Sequence, residues 1–234
     1  MTKELLIFGA GGALGRGMTS VMVKKDYDKI YLFDFHNSEK KFADLSIKNI
    51  RVKDLSIEEN TAEAFSHLTA GKDKLFFLFS TIGGYIGGKS IIELDLEEWE
   101  RMFRMNLTSN FLIAKYFSRL VKGSAGGSIC FTSAAAALHP EANRAAYSAS
   151  KSALINLVET LAQEGKSIKL SANAVAPFII DTPANREWLK DKEFVKAVKP
   201  EEIGELAHSL FTYYNFVSGN VITLEIRFEG VNLT

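Results

Sequence analysis

The chain has 234 residues, 47% hydrophobic and 24% charged, with 28 Lys and Arg against 28 Asp and Glu, which suits one soluble domain, 1–234, with a sizeable core. Balanced charge excludes the basic footprint of a nucleic-acid binder, and the longest apolar runs, such as LFFLF at 75–79, are too short to span a bilayer. Cys130 stands alone and the four His show no ligand spacing, so neither an internal disulfide nor a metal site is expected.

The first residues, MTKELLIFGAGG, run from charges straight into a Gly-rich turn. No leader is expected, and the cytoplasm is the expected location. ELLIFG (4–9) reads as a strand, followed by the turn and a helix beginning GRGMTSVMVKK. KIYLFDF (29–35) and the shorter NIRV (49–52) are the next strands. Ser56 with Glu59 has the capping-box spacing and opens a helix. KLFFLFS (74–80) does not alternate, so it reads as a strand buried on both faces. After the Gly-rich loop at 83–88, Asp95 and Glu98 repeat the capping-box pattern and open a helix running to about Val121. GGSICFTS (126–133) is a strand with Cys130 in its core, and AAYSASKSALINLVETLA (145–162) a helix. IKLSANAVAP (168–177) is a strand ended by Pro177, 200–214 a helix with Pro in its first turn, and NVITLEI (220–226) the last strand. Seven strands with crossover-length helices between most of them predict an α/β fold: a doubly wound, Rossmann-like parallel sheet with helices on both faces.

In such a sheet the ligand crevice lies outside the C-terminal strand ends. GAGGALG, Gly9 to Gly15, occupies that place after the first strand. Glycines let backbone approach a pyrophosphate, and the following helix offers free N–H groups and a positive dipole end. GxGxxG fails because its third glycine falls on Leu14. GxxxAxG through Gly9, Ala13 and Gly15 fits, and so does GxxGxxG through Gly9, Gly12 and Gly15. Asp34 ends the second strand, where an acid hydrogen-bonds the adenosine ribose and repels a 2′-phosphate, favouring NAD over NADP without excluding the latter. Asp54 ends the third strand, where it either reaches the adenine amino group or begins a turn. Tyr147 and Lys151 are one turn apart on one helix face.

Together these motifs resemble the short-chain dehydrogenase/reductase family over nearly the whole chain. They are the glycine turn, Asp34, Asp54, Asn106 in RMNLTSNF, Ser133 ending SICFTS, Tyr147-x-x-x-Lys151, and NAVAPFIIDT at 173–182. The resemblance implies that Tyr147 is the general acid/base, Lys151 its helper, Ser133 the substrate-orienting hydroxyl and Asn106 the support of a proton-relay water. It further implies cofactor contacts from Gly9, Gly12, Ala13, Leu14 and Gly15, from Ser80 at the fourth strand end, and from Ile180 and Thr182 to the nicotinamide amide. The expected reaction interconverts an alcohol and a carbonyl by hydride transfer. An unperturbed Tyr has a pKa of about 10, and the Lys151 ammonium is expected to lower it.

Some positions depart from the family pattern. Phe8 stands in place of Thr before the first glycine. STIG (80–83) replaces Asn-Asn-Ala-Gly and removes side-chain hydrogen bonds that brace the cofactor region. Phe178 follows Pro177 where Gly is usual. Ser133 precedes Tyr147 by fourteen residues, one more than usual, which implies a one-residue insertion within 134–146.

Tyr85, Ile86, Leu138, His139, Phe178 and Trp188 are candidate walls for a small alcohol or carbonyl substrate, and 183–199 reads as a lid or as an amphipathic surface helix. Apolar residues on two sides of the 145–162 helix imply burial between the sheet and something else. The resemblance makes that a partner subunit, so a homodimer or homotetramer is expected. The competing reading is a non-catalytic dinucleotide-binding sensor or scaffold, against which the Asn106, Ser133, Tyr147 and Lys151 set argues. A sugar-nucleotide epimerase fits less well, because such enzymes generally append a C-terminal substrate domain.

Overall fold

The computed structural model describes residues 1–36, 46–187 and 197–225. A seven-stranded sheet runs in the order β3-β2-β1-β4-β5-β6-β7, every pairing parallel. Its strands are β1 (Thr2–Phe8), β2 (Lys29–Asp34), β3 (Ile47–Arg51), β4 (Lys74–Ser80), β5 (Gly126–Thr132), β6 (Leu170–Pro177) and β7 (Val221–Leu224). The helices are α1 (Ala13–Met22), α2 (Glu58–Phe65), α3 (Leu96–Phe103), α4 (Ser109–Lys122), α5 (Ala145–Gly165), the single turn α6 (Pro183–Arg186) and α7 (Pro200–Thr212). This is the Rossmann-like, doubly wound α/β architecture expected.

Alternate residues of each central strand feed two cores, because successive side chains leave opposite faces of a sheet. Leu6, Phe8, Phe76, Leu78, Ile129 and Phe131 meet one face, with Ile113 and Phe117 of α4 and Leu154 and Val158 of α5. Leu5, Ile7, Phe77, Phe79 and Cys130 meet the other, with Met18 and Met22 of α1 and Ile203 and Phe211 of α7. KLFFLFS does not alternate because helices cover it on both sides. Phe8 and Phe33 stack in register across β1 and β2, with ring centroids 4.2 Å apart.

Three helix starts and runs differ from expectation. Ser56 does not cap α2. Its amide and hydroxyl donate to Asp54 Oδ1 at 2.9 and 2.7 Å, and the helix begins at Glu58. Asp95 is the N-cap of α3 but makes no capping bond. Lys89 takes both Asp95 and Glu98 carboxylates at 2.8 Å, a charge-assisted pairing that outcompetes neutral amides. The long helix from 95 to 121 is also interrupted, because Arg104–Thr108 forms a π-turn between α3 and α4. Such a one-residue bulge is frequent at functional sites. Lys166–Ile168 is a 3-10 turn, and Lys169 sits at φ 59° before β6.

The sheet order reverses between β1 and β4. Phe8 lies in register with Phe33 on one side and Ser80 on the other, so the crevice expected at such a switch point opens above these three strand ends.

Candidate active site

The crevice begins where β1 turns into α1. Gly9 holds φ +79°, and a Cβ on Gly15 would lie 2.1 Å from the Gly9 carbonyl oxygen. A Cβ on Gly12 would meet that oxygen only at 3.4 Å, an ordinary contact. Of the two open glycine patterns, GxxxAxG is therefore the one that close packing enforces. Gly12 is the N-cap of α1 and no side chain caps the helix, which leaves first-turn N–H groups for an anion.

Asp34 folds back onto this turn. Its Oδ2 accepts from the Gly11 amide at 2.7 Å and its Oδ1 from the His36 amide at 2.9 Å. Asp54 closes its own turn through Ser56, yet it also lines the crevice. A cleft of about 420 Å³ is walled by Gly9, Asp34, Asp54, Gly83, Arg101 and Arg104, among others. The two arginines had no role assigned from the sequence and arrive from α3 and the π-turn. The acids, the glycine turn and the uncapped helix fit an adenosine diphosphate moiety. Among the described residues no group of three or more His, Cys, Asp or Glu is arranged to hold a metal ion.

Ser80 is 1% exposed. Its hydroxyl donates to Asn110 Oδ1 at 2.6 Å, which makes it a brace rather than a free ligand. Thr81 Oγ1 reaches the carbonyls of Phe8 and Gly9 at 3.1 and 3.0 Å. STIG therefore has braces of its own, supplied by a helix amide and a hydroxyl. The expected loss of bracing does not occur.

On α5, Tyr147 is half-buried and Lys151 is 5% exposed. Lys151 Nζ donates to the Thr132 carbonyl at 2.7 Å, and a Cβ on Gly83 would lie 3.1 Å from it. Gly83 lines the crevice, so the lysine reaches its wall. Burial pulls Lys151 down to about 8. The expected acidification of Tyr147 by Lys151 is reversed: burial pushes the phenol up to about 12, and the cation that opposes this is Arg144. The Arg144 guanidinium lies 5.8 Å over the Tyr85 ring, and Tyr85 stands edge-on to Tyr147 at 5.0 Å.

Ser133 is 3% exposed. Its hydroxyl donates to the Lys151 carbonyl at 3.1 Å, not toward the phenol. Buried Asn106 sits in the π-turn, its Oδ1 accepting from the Gly84 amide at 2.8 Å and its Nδ2 donating to Gly84 O and Ser150 Oγ at 3.1 and 3.0 Å. Ile180 forms an isolated bridge with Val198. Thr182 caps α6 by accepting from the Asn185 amide at 3.2 Å. Trp188 and most of the expected lid lie outside the described residues. Asn110 and Arg144 went unremarked in the sequence, although Asn110 lies i+4 from Asn106.

A doubly wound sheet with a glycine turn, strand-end acids and a Tyr–Lys helix beside its switch point defines a dinucleotide-dependent oxidoreductase. The sequence pattern of the family described as short chain dehydrogenase matches residues 3–193. The chain belongs to that family and is an oxidoreductase. It is 27% identical over 207 residues to a dihydropteridine reductase of Dictyostelium discoideum, covering 88% of this chain and 86% of that protein. It is 31% identical over 193 residues to a tropinone reductase homolog of Arabidopsis thaliana, covering 78% of this chain and 69% of that protein. The solved structure of ElxO with NADP bound superposes with TM-score 0.82 at 19% identity, covering 96% of this chain and 97% of that one.

Proposed function

We propose that residues 1–234 form one catalytic unit, a reductase that passes hydride from a nicotinamide dinucleotide to a small unsaturated substrate while Tyr147 delivers the proton. The single observation that carries this is the meeting of Lys151 with Gly83, which joins the Tyr–Lys face of α5 to the wall of the dinucleotide cleft. The dinucleotide, when bound, supplies the hydride. Gly9, Gly12, Ala13, Leu14 and Gly15 would hold its pyrophosphate, with Asp34 and Asp54 at the adenosine end. Ser80 supports the wall, and Ile180 and Thr182 would hold the amide end. A phenol pushed up to about 12 is protonated at neutral pH, so Tyr147 is set to donate its proton in the reductive direction. Lys151 would hold the ribose side and, when charged, stabilise the developing phenolate.

Carbonyl reduction is the first reading of the substrate, with Ser133 turned to the carbonyl oxygen by a rotation that breaks its bond to Lys151. A second reading is favoured by the bond Ser133 makes here. Reduction of a conjugated ring, as the name of the dihydropteridine reductase relative implies for that protein, needs a proton donor but no second hydroxyl to hold an alkoxide. Tyr85, edge-on to Tyr147, gives such a ring an aromatic wall.

Asp34 favours NADH, because a carboxylate repels a 2′-phosphate. The test is loss of NADH or NADPH absorbance with a panel of ketones, aldehydes and a dihydropteridine, run beside Tyr147→Phe. Turnover with NADPH alone would refute the role of Asp34. Unchanged activity in the Phe variant would refute the mechanism.

A further inference from the structure

Asn110 is 1% exposed and its side-chain amide is fully engaged. Oδ1 accepts from Ser80 Oγ at 2.6 Å, while Nδ2 donates to the Ile82 carbonyl at 3.1 Å and the Asn106 carbonyl at 2.8 Å. Ser80 ends β4, Ile82 lies in the following loop, and Asn106 is in the π-turn. One side chain on α4 thus ties together a strand end, a loop and a turn. Asn106 extends the tie to Gly84 and to Ser150, whose hydroxyl donates to the Tyr147 carbonyl at 2.8 Å. Gly83 is held between these anchors so closely that a Cβ on it would lie 2.6 Å from Asn106 Oδ1.

We propose that Asn110 is a positioning residue of the dinucleotide cleft. Its amide locks segment 80–84, the wall that faces Lys151, onto the π-turn. The inference rests on the reading of the cleft given above. It also explains how STIG serves where the family has an asparagine at the strand end: the amide comes back from the helix side of the same space. Without Asn110, the buried Ser80 hydroxyl and Asn106 carbonyl and the half-buried Ile82 carbonyl lose this partner, and for the buried groups that costs more than a hydrogen bond gains. The least costly relief is movement of segment 80–84 into the cleft.

The test uses three variants and two readouts, the Kd for NADH and NADPH by fluorescence titration and the melting midpoint without nucleotide. Asn110→Asp keeps the acceptor for Ser80 but has no donor for either carbonyl. It is expected to weaken binding of the preferred nucleotide about tenfold or more. Ser171→Ala removes a buried 2.7 Å bond to Ser128 far from the cleft and should lower the midpoint with Kd unchanged. The double exchange S80N/N110S moves the amide back to the strand and should recover binding to within about threefold of wild type, if one amide anywhere in this space suffices. Asn110→Asp binding as tightly as wild type overturns the inference, as does a double exchange that melts like wild type yet binds no better than Asn110→Asp. Wild-type protein that binds neither nucleotide overturns the reading of the cleft and the inference with it.

Discussion

The same burial disfavours the charged forms of both Tyr147 and Lys151, but with different results: the phenol keeps its proton, while Lys151, at about 8, is still an ammonium at neutral pH. For Tyr147 burial preserves the proton that reduction consumes. Tyr147→Phe should therefore lower kcat at least ~10²-fold, the lower range for a lost general acid, while the Kd for NADH, measured by fluorescence, stays within a factor of about two. For Lys151 burial favours loss of the proton. The folded value of about 8 lies below the ordinary 10.5, so between those values the unfolded chain binds more protons and stability rises with pH. Below about 8 the full penalty applies, roughly 3 kcal/mol for a difference of this size, offset in part by the bond to Thr132. Denaturant melts of wild type and Lys151→Met, compared from pH 7 to pH 11, should show wild type gaining on the variant across that window. A constant gap would mean that Lys151 is not buried as described. The position of Ser133 was less legible in the sequence. A spacing of fourteen signalled an extra residue, but not that the hydroxyl turns to a helix carbonyl, because that depends on how β5 meets α5.

Among the elements, the β1–α1 turn separates a glycine required by space from one required by nothing in the fold. Gly15→Ala drives a Cβ into the Gly9 carbonyl, a backbone atom that cannot step aside, and should cost about 1–3 kcal/mol with loss of NADH binding. Gly12→Ala meets only an ordinary contact within the protein and should leave the melting midpoint near that of wild type, whatever it does to the pyrophosphate that this turn would hold. Equal loss of stability from both substitutions would return the GxxGxxG reading. Strands were legible here for a physical reason. Runs such as ELLIF and KLFFLF are buried on both faces, and only a central parallel strand needs that composition. Helix starts were not. The Ser56 and Asp95 capping boxes are local patterns, and each was defeated by a partner outside the box, Asp54 in one case and Lys89 in the other. The π-turn left no mark either. Asn106 and Asn110 keep the i,i+4 spacing of an ordinary helix, and the extra residue shows only in how their amides are spent.

For the molecule as a whole, the outer side of α5 sets the remaining expectation. Leu154 and Val158 are 0% exposed and belong to the core under the sheet. Ala145, Ala149 and Ala153 form the other stripe and remain only half-buried, whereas Leu157 and Leu161, farther along it, turn onto that core. On neighbouring α4, Phe111 is 46% exposed. Small side chains in a row let another backbone approach closely, and an exposed aromatic beside them supplies area worth burying, at about 25 cal/mol per Å². If that row is an interface between copies, the protein should scatter light at micromolar concentration as a dimer or tetramer. Ala153→Glu, which sets a charge in the middle of the row while sparing Leu154 and Val158, should then drive it toward monomer. The same variant should keep its melting transition and its Kd for NADH, because the cleft lies at the strand ends rather than along the middle of α5. A wild-type monomer at that concentration would instead leave the stripe as ordinary solvent-facing helix and confine the function to a single chain.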